Sequence, residues 1–221
     1  GQLDSLAKRR NQMSANAGFP NYRDFAHRRK GRFDYTPDDC LAFHDAIEQE
    51  MVPLLRELHD ERQAALGIES LKPWDTATDP QGRPPLKPFD EVPQLISRTQ
   101  AIFDQLDGDL AGWFQTMQNL DLLDLANRKG KAPGGYQDSL AEARLPFIFM
   151  NSVGVQRDVE TLLHEAGHAF HTMACQDEPL HSYRHAPIEF CEVASMAMEL
   201  LGGEYLGEFY DTEEVRRARI T

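Results

Sequence analysis

Leu163-His164-Glu165-Ala166-Gly167-His168-Ala169 lies in a run whose apolar residues return every three or four positions. Val159, Leu162, Leu163, Ala166, Ala169, Phe170 and Met173 fall within about 120° of one another on a helical wheel, the width of a stripe that faces a core. His164 and His168 are centred almost opposite that stripe. The spacing predicts an amphipathic helix over residues 157–175, anchored on one side and presenting two imidazoles on the other. On such a helix the two rings stand about 40° and about 6 Å apart, so both can reach one ion. Glu165 lies about 60° round from His168, beside that face but off the ion. That position suits a base that handles a water molecule without becoming a ligand.

Together these residues spell H-E-x-x-H, a pattern associated with catalytic zinc. Two ring nitrogens do not complete such a site, which needs a third protein ligand and one open position. Where the longer H-E-x-x-H-x-x-G-x-x-H pattern has its third histidine, this chain has Ala174, so that class is excluded. The remaining source is a carboxylate on a later helix. After Pro187 the chain reads Ile188-Glu189-Phe190-Cys191-Glu192-Val193-Ala194-Ser195-Met196-Ala197-Met198-Glu199-Leu200-Leu201. A helix over 187–201 is predicted, apolar nearly all round and therefore expected to be buried. Its polar residues Glu189, Glu192, Ser195 and Glu199 share about 120° of the wheel. Buried carboxylates without partners are costly or protonate, and a cation on that face removes the cost. Glu192, central in the stripe, is the expected third ligand, with Glu189 its rival. Glu199, two turns on, is placed to hydrogen-bond a ligating histidine. His171 is expected to line the cleft.

Upstream, Thr36-Pro37-Asp38-Asp39 reads as a helix start: a cap, a first-turn proline and acids at the positive end of the dipole. Leu41, Ile47, Met51, Leu54, Leu55 and Leu58 continue at helical spacing to about Leu66, with a stop at Gly67 and a kink expected at Pro53. Residues 68–93 are a proline-rich connector with a turn at Asp79-Pro80-Gln81-Gly82. Helices are predicted over 92–106 and 110–126. Gly130, Pro133, Gly134 and Gly135 then interrupt, and Pro146-Phe147-Ile148-Phe149-Met150-Asn151 is short, apolar and strand-like. Because it directly precedes the metal helix, this strand is expected at a sheet edge, where an extended peptide could pair with it. A last helical run covers 212–220. The chain thus reads as mainly α with a small β element before the active-site helix. It divides into a helical segment, 1–67, the connector, 68–93, and a metal-binding region, 94–221, together one incomplete catalytic domain.

With 221 residues, 41% hydrophobic and 27% charged, the composition is that of a folded protein. The net charge of −13 argues against nucleic-acid and anionic-membrane partners. Residues 1–32 hold eight Lys/Arg against Asp4 and Asp24, a balance of +6 that leaves −19 for the rest. The cluster Arg28, Arg29, Lys30 and Arg32 reads as a solvated face or an intramolecular dock. No apolar run approaches the ~18–20 residues of a membrane span. Cys40, Cys175 and Cys191 are an odd set without C-x-x-C spacing, which predicts a reducing, cytoplasmic setting with buried thiols. Nucleophilic catalysis finds no G-x-S-x-G, and Lys129-Gly130-Lys131 does not follow the order of a phosphate-binding loop.

The pair of histidines followed by Cys191-Glu192-Val193-Ala194-Ser195 resembles the thimet oligopeptidase and oligoendopeptidase F family of zinc peptidases. That family's third ligand is the glutamate of an E-x-x-S helix at a similar distance past the second histidine. Arg128-Lys129-Gly130-Lys131-Ala132-Pro133-Gly134-Gly135-Tyr136 and the strand at 146–151 are similar to its glycine turn and the strand before the active-site helix. Phe19-Pro20-Asn21-Tyr22-Arg23-Asp24 and Arg32-Phe33-Asp34-Tyr35-Thr36-Pro37 resemble its oligoendopeptidase branch.

The resemblance implies that His164, His168 and Glu192 hold one Zn2+ and that Glu165 activates a metal-bound water. It implies a zincin-like, largely helical bowl that hydrolyses oligopeptides. The expected partners are oligopeptide substrates and the rest of a longer polypeptide. In the family a Tyr- and His-bearing loop polarises the scissile carbonyl from beyond the E-x-x-S helix. Here Tyr205 and Tyr210 follow that helix but no histidine does, so a zinc-loaded chain that is a poor catalyst alone is expected. The competing reading of the same residues is a metal-containing but non-hydrolytic peptide-binding or scaffold domain.

Overall fold

The computed structural model describes residues 1–218, which form two compact units, Gly1–Pro84 and a second that begins at Pro85. The division falls inside the proline-rich stretch. Of the helical run expected over 212–220, positions 219 and 220 lie outside the described residues.

The first unit is helical: α1 (Gln2–Asn16), α2 (Tyr22–Arg29), α3 (Pro37–Ala46) and α4 (Val52–Leu66). Thr36 caps α3 in a reciprocal box, its hydroxyl accepting from the Asp39 amide (3.2 Å) while the Asp39 carboxylate accepts from the Thr36 amide (2.7 Å). The kink expected at Pro53 takes the form of a π-helical turn, Ile47–Met51, between α3 and α4. Proline has no N–H to return to a carbonyl four residues back, and a widened turn absorbs the lost bond. Gly67, at φ +65°, closes α4. The apolar positions Leu41, Met51, Leu54, Leu55 and Leu58 keep their helical spacing but stay about half exposed, since nothing in this unit covers them.

The second unit carries the core. Its elements are α5 (Val92–Leu106), α6 (Gly108–Asn119), β1 (Leu123–Ala126), β2 (Tyr136–Leu140), β3 (Leu145–Ser152), α7 (Gln156–Ala174), α8 (Ile188–Gly203) and α9 (Thr212–Ala218). Every residue of the predicted apolar stripe on α7 is buried. Phe170 meets Phe103 of α5 edge-on at 4.8 Å, and Phe103 meets Phe114 of α6 at 5.1 Å. Aromatic edge-to-face contacts of this kind add to the burial of area. They hold α7 by its apolar side and leave the histidine side turned away.

The sheet has the order β1-β3-β2, with β3 parallel to β1 and antiparallel to β2. The strand at 146–151 is therefore central, and the expectation that it offers a free edge is wrong: both of its edges are paired. Within the sheet the outer edges belong to β1 and β2. The helix expected through residue 126 ends at Asn119, because Asp121 adopts φ 53° and turns the chain. Leu122 to Leu125 then form β1, a short apolar run that fits a buried strand as well as a helix end.

Two polar anchors fix the segments on either side of this sheet. Asp158 is buried, and its Oδ2 accepts from the amides of Val153, Gly154 and Val155 at 2.7, 2.8 and 3.0 Å, tying the end of β3 to the first turn of α7. The Lys131 ammonium, 1% exposed, donates to the carbonyls of Asp124, Ala126 and Met150 and to the Asp124 carboxylate. Arg128 grips the same carboxylate through two nitrogens at 2.6 and 2.8 Å and holds its pKa down to about 2. The glycine turn is thereby pinned to the sheet. Its Gly135 packs so closely that an added Cβ would lie 3.1 Å from Thr161 of α7.

Candidate metal centre

His164 and His168 project from consecutive turns of α7, ring centroids 4.9 Å apart and planes crossed at 85°. Opposite them stands Glu192 on α8. Its Oε2 lies 3.4 Å from Nε2 of His164 and 3.8 Å from Nε2 of His168. One donor atom from each residue falls within 4.8 Å of the others. Glu189 is exposed and is not part of this cluster.

The close approach of the two helices has one cause in the sequence. An added Cβ on Gly167 would lie 2.5 Å from both the Ala194 carbonyl oxygen and the Ser195 Cα. Only glycine lets backbone meet backbone there, and the crossing point lies between the histidines on one helix and Glu192 on the other. A second glycine, Gly202, lets the Leu163 side chain pack within 2.9 Å of where its Cβ would be.

Two members of the cluster are held from behind. Nδ1 of His164 lies 2.6 Å from Oε1 of Glu199, to which it donates, leaving Nε2 as a free acceptor. Ser195, fully buried, donates to Oε2 of Glu192 at 3.0 Å. Burial pushes the pKa of His168 down, which keeps its ring neutral and its lone pair available. Glu165 is buried at 7% exposure, and burial raises its pKa above the usual carboxylate range. It lines a polar cleft with His164, Glu199, Thr161, Glu160 and Gly135.

This donor set fits a metal ion. Two neutral imidazole nitrogens and one carboxylate are a common set for catalytic zinc, and bonds of ~2.0–2.2 Å in a tetrahedron put the donor atoms roughly 3.3–3.6 Å apart. The observed 3.4 Å falls within that spacing and 3.8 Å lies just beyond it, a difference that a small side-chain rotation closes.

Other expectations fare differently. Glu199 sits where the stripe on α8 put it, against a histidine. The burial of α8 on all sides does not hold: Phe190, Val193, Met196 and Leu200 are 57–77% exposed. Only the face with Ser195 and Gly202 packs on α7, and the opposite face has no packing partner among the described residues. Tyr210 is buried with its hydroxyl bonded to Gln156, and burial raises its pKa strongly. Tyr205 packs on the core, so neither tyrosine lines the cleft. The three thiols are free and half-buried, and burial raises the Cys191 pKa, which disfavours a nucleophilic role.

Sequence reasoning passed over Gly167, Lys131 and Asp158. Gly167 carried a legible signal, a residue without a side chain between two prospective ligands. Asp158, three residues past Val155 at the start of α7, has the position of a capping acid.

The sequence profile of Peptidase family M3 matches residues 2–215. Over 94 residues, 42% of this chain, it is 34% identical to oligopeptidase PepF of Bacillus subtilis, covering 14% of that protein. Over 149 residues, 67% of the chain, it is 26% identical to group B oligopeptidase PepB of Streptococcus agalactiae, covering 24% of it. Among solved structures, PZ peptidase A with inhibitor 2 superimposes with a TM-score of 0.89 at 30% identity, covering 98% of this chain and 38% of that one. A putative oligoendopeptidase F from Bacillus anthracis does so with a TM-score of 0.89 at 28% identity, covering 98% and 40%. The chain spans less than half the length of these relatives. No described helix is long and apolar enough to cross a membrane. The match over nearly the whole length, on a mainly α fold with a small sheet, makes this chain a member of Peptidase family M3.

Proposed function

We propose that this chain is the metal-binding part of a zinc-dependent oligopeptidase that hydrolyses oligopeptides in the cytoplasm. The observation that carries the reading is the meeting of His164, His168 and Glu192 beside the buried Glu165, in a family M3 chain. Zinc, when bound, supplies a Lewis acid that polarises the scissile carbonyl and acidifies a water.

The chain's own residues do the rest. Glu165 takes the proton of the attacking water on its carboxylate and passes it to the departing amine nitrogen. Its burial makes that carboxylate a better proton acceptor than an exposed one. Glu199 holds His164 in the tautomer that turns Nε2 to the metal, and Ser195 steadies Glu192. The outer edge of β2, beside α7, can take an extended peptide through backbone hydrogen bonds, which demands little of its side chains. The three free thiols suit a reducing compartment.

Glu165→Gln in the full-length zinc-loaded protein tests the reading. Loss of cleavage of a quenched fluorescent oligopeptide at unchanged zinc content supports it. Undiminished cleavage removes Glu165 from the mechanism, and a parent protein that binds peptide without cutting it favours a non-hydrolytic binding domain.

A further inference from the structure

Past the metal cluster, the same face of α7 leads into a second cavity of about 240 Å3, lined by Asp138, Arg144, Thr172, Gln176, His181 and Arg184 among others. It is smaller than the ~300–1,000 Å3 that holds a whole drug-sized ligand, and of a size for one side chain. Thr172 stands one turn beyond His168, so the cavity begins about 6 Å along the axis from the second histidine, and Gln176 lines it from just past the end of α7. A peptide paired with β2 as proposed above advances about 3.3 Å per residue, and Asp138, Ser139 and Leu140 of that strand line the cavity, so its second residue from the scissile bond and those just beyond it pass over this cavity.

The charge of the cavity is opposite to that of the chain. Net charge is −13, yet Arg144 and Arg184 both line this cavity, and neither pairs with a carboxylate among the described residues. Backbone carbonyls hold them instead. Arg144 donates to Gln176 O at 2.9 Å, and Arg184 donates to Glu178 O at 2.7 Å and Pro179 O at 3.4 Å. These bonds fix each guanidinium without neutralising it and leave further N–H donors for a ligand. Asp138 is the one carboxylate lining the cavity, and it accepts from the Ser139 amide at 2.7 Å. A pair of anchored guanidiniums answers to a carboxylate.

We infer that this cavity is a subsite for a carboxylate of the peptide substrate, an acidic side chain or the free C-terminus, with Arg144 and Arg184 as its specificity-determining residues. The inference rests on the oligopeptidase reading above.

The test uses the full-length zinc-loaded protein and quenched fluorescent peptides carrying one Glu, or Gln or Lys in its place, at each position up to four from the scissile bond. Each peptide is made with a free and with an amidated C-terminus. A charge-assisted hydrogen bond corresponds to roughly tenfold to a hundredfold. A Glu-over-Gln preference of that size in kcat/KM is expected at one position two to four residues from the bond. If the terminus is the source, the preference is for free over amidated peptides at matching length. In Arg144→Glu the preference should collapse and turn toward Lys at the same position, an inversion that a disturbed fold does not produce. Arg184→Lys, which keeps charge but loses the fork, should weaken the preference without inverting it. Cleavage with Glu and Gln equal everywhere, and free and amidated ends equal, overturns the subsite. So does a preference unchanged in Arg144→Glu. If no peptide is cut by the parent protein, the oligopeptidase reading fails and the subsite falls with it.

Discussion

His164 stands between two glutamates of one helix: Nδ1 lies 2.6 Å from Oε1 of Glu199 and Nε2 faces Oε2 of Glu192 at 3.4 Å. The two acids stand seven positions apart on α8, two full turns, so one face of that helix reaches both edges of the ring. One carboxylate is placed to share a metal with the histidine, and the other to orient it.

This arrangement predicts a ranking. Glu199→Gln should lower zinc affinity by about 10–100-fold, the usual effect of losing a partner behind a ligand. Glu192→Ala should cost more, and Glu189→Ala, exposed and outside the cluster, should cost little. Competition titration with a zinc chelator measures all three. Equal losses for Glu189 and Glu192 would move the third ligand.

Gly167→Ala sets two magnitudes against each other. Helix propensity favours alanine by ~0.8–1.0 kcal/mol, but the new Cβ would lie 2.5 Å from the backbone of α8. Forced overpacking typically costs ~1–3 kcal/mol, and here the obstructing atoms are backbone, which cannot rotate away. The expected result is a lower melting temperature together with weakened zinc binding, as α8 is pushed off α7. Gly203→Ala, where an added Cβ meets nothing within 4 Å, is the matched control and should be neutral or stabilising.

Asp124 predicts a pH signature in the sheet. Its pKa is held down to about 2, first by the Arg128 guanidinium and then by Lys131. Relative to an unfolded value near ~3.9, the native state holds fewer protons in between, so this contribution to stability is full above the ordinary carboxylate range. It is lost as pH falls from there through about 2. Asp124→Asn should therefore be less stable than the parent at neutral pH, with the difference shrinking over that acid window in denaturant titrations. A difference that persists unchanged to the acid end would assign the effect to shape and not to charge.

How much of this could be read in the sequence depends on how local the cause is. The stripe on α7 and the polar line Glu192-Ser195-Glu199 on α8 are periodicities within single helices, and both led directly to residues that meet in space. Pro53 likewise announced a break whose cause is one missing N–H. The place of β3 in its sheet is set by pairings with residues 123–126 and 136–140, and a run of apolar residues at 146–151 looks the same at an edge or in the middle. Leu122 to Leu125 is ambiguous for the same reason until Asp121 is seen to turn the chain. The apolar face of α8 shows the limit from the other side. Composition says that Phe190, Val193 and Met196 suit burial, but what lies against them is not a property of the helix.

The central claim is that His164, His168 and Glu192 together hold one zinc ion. Metal content of the full-length protein purified with zinc available, by inductively coupled plasma mass spectrometry, tests it most directly when set beside the same measurement on His168→Ala. One zinc per chain is expected in the parent protein and essentially none in the variant, with the fold of both intact by circular dichroism. A parent protein without zinc, or a variant that keeps its full complement, would contradict it.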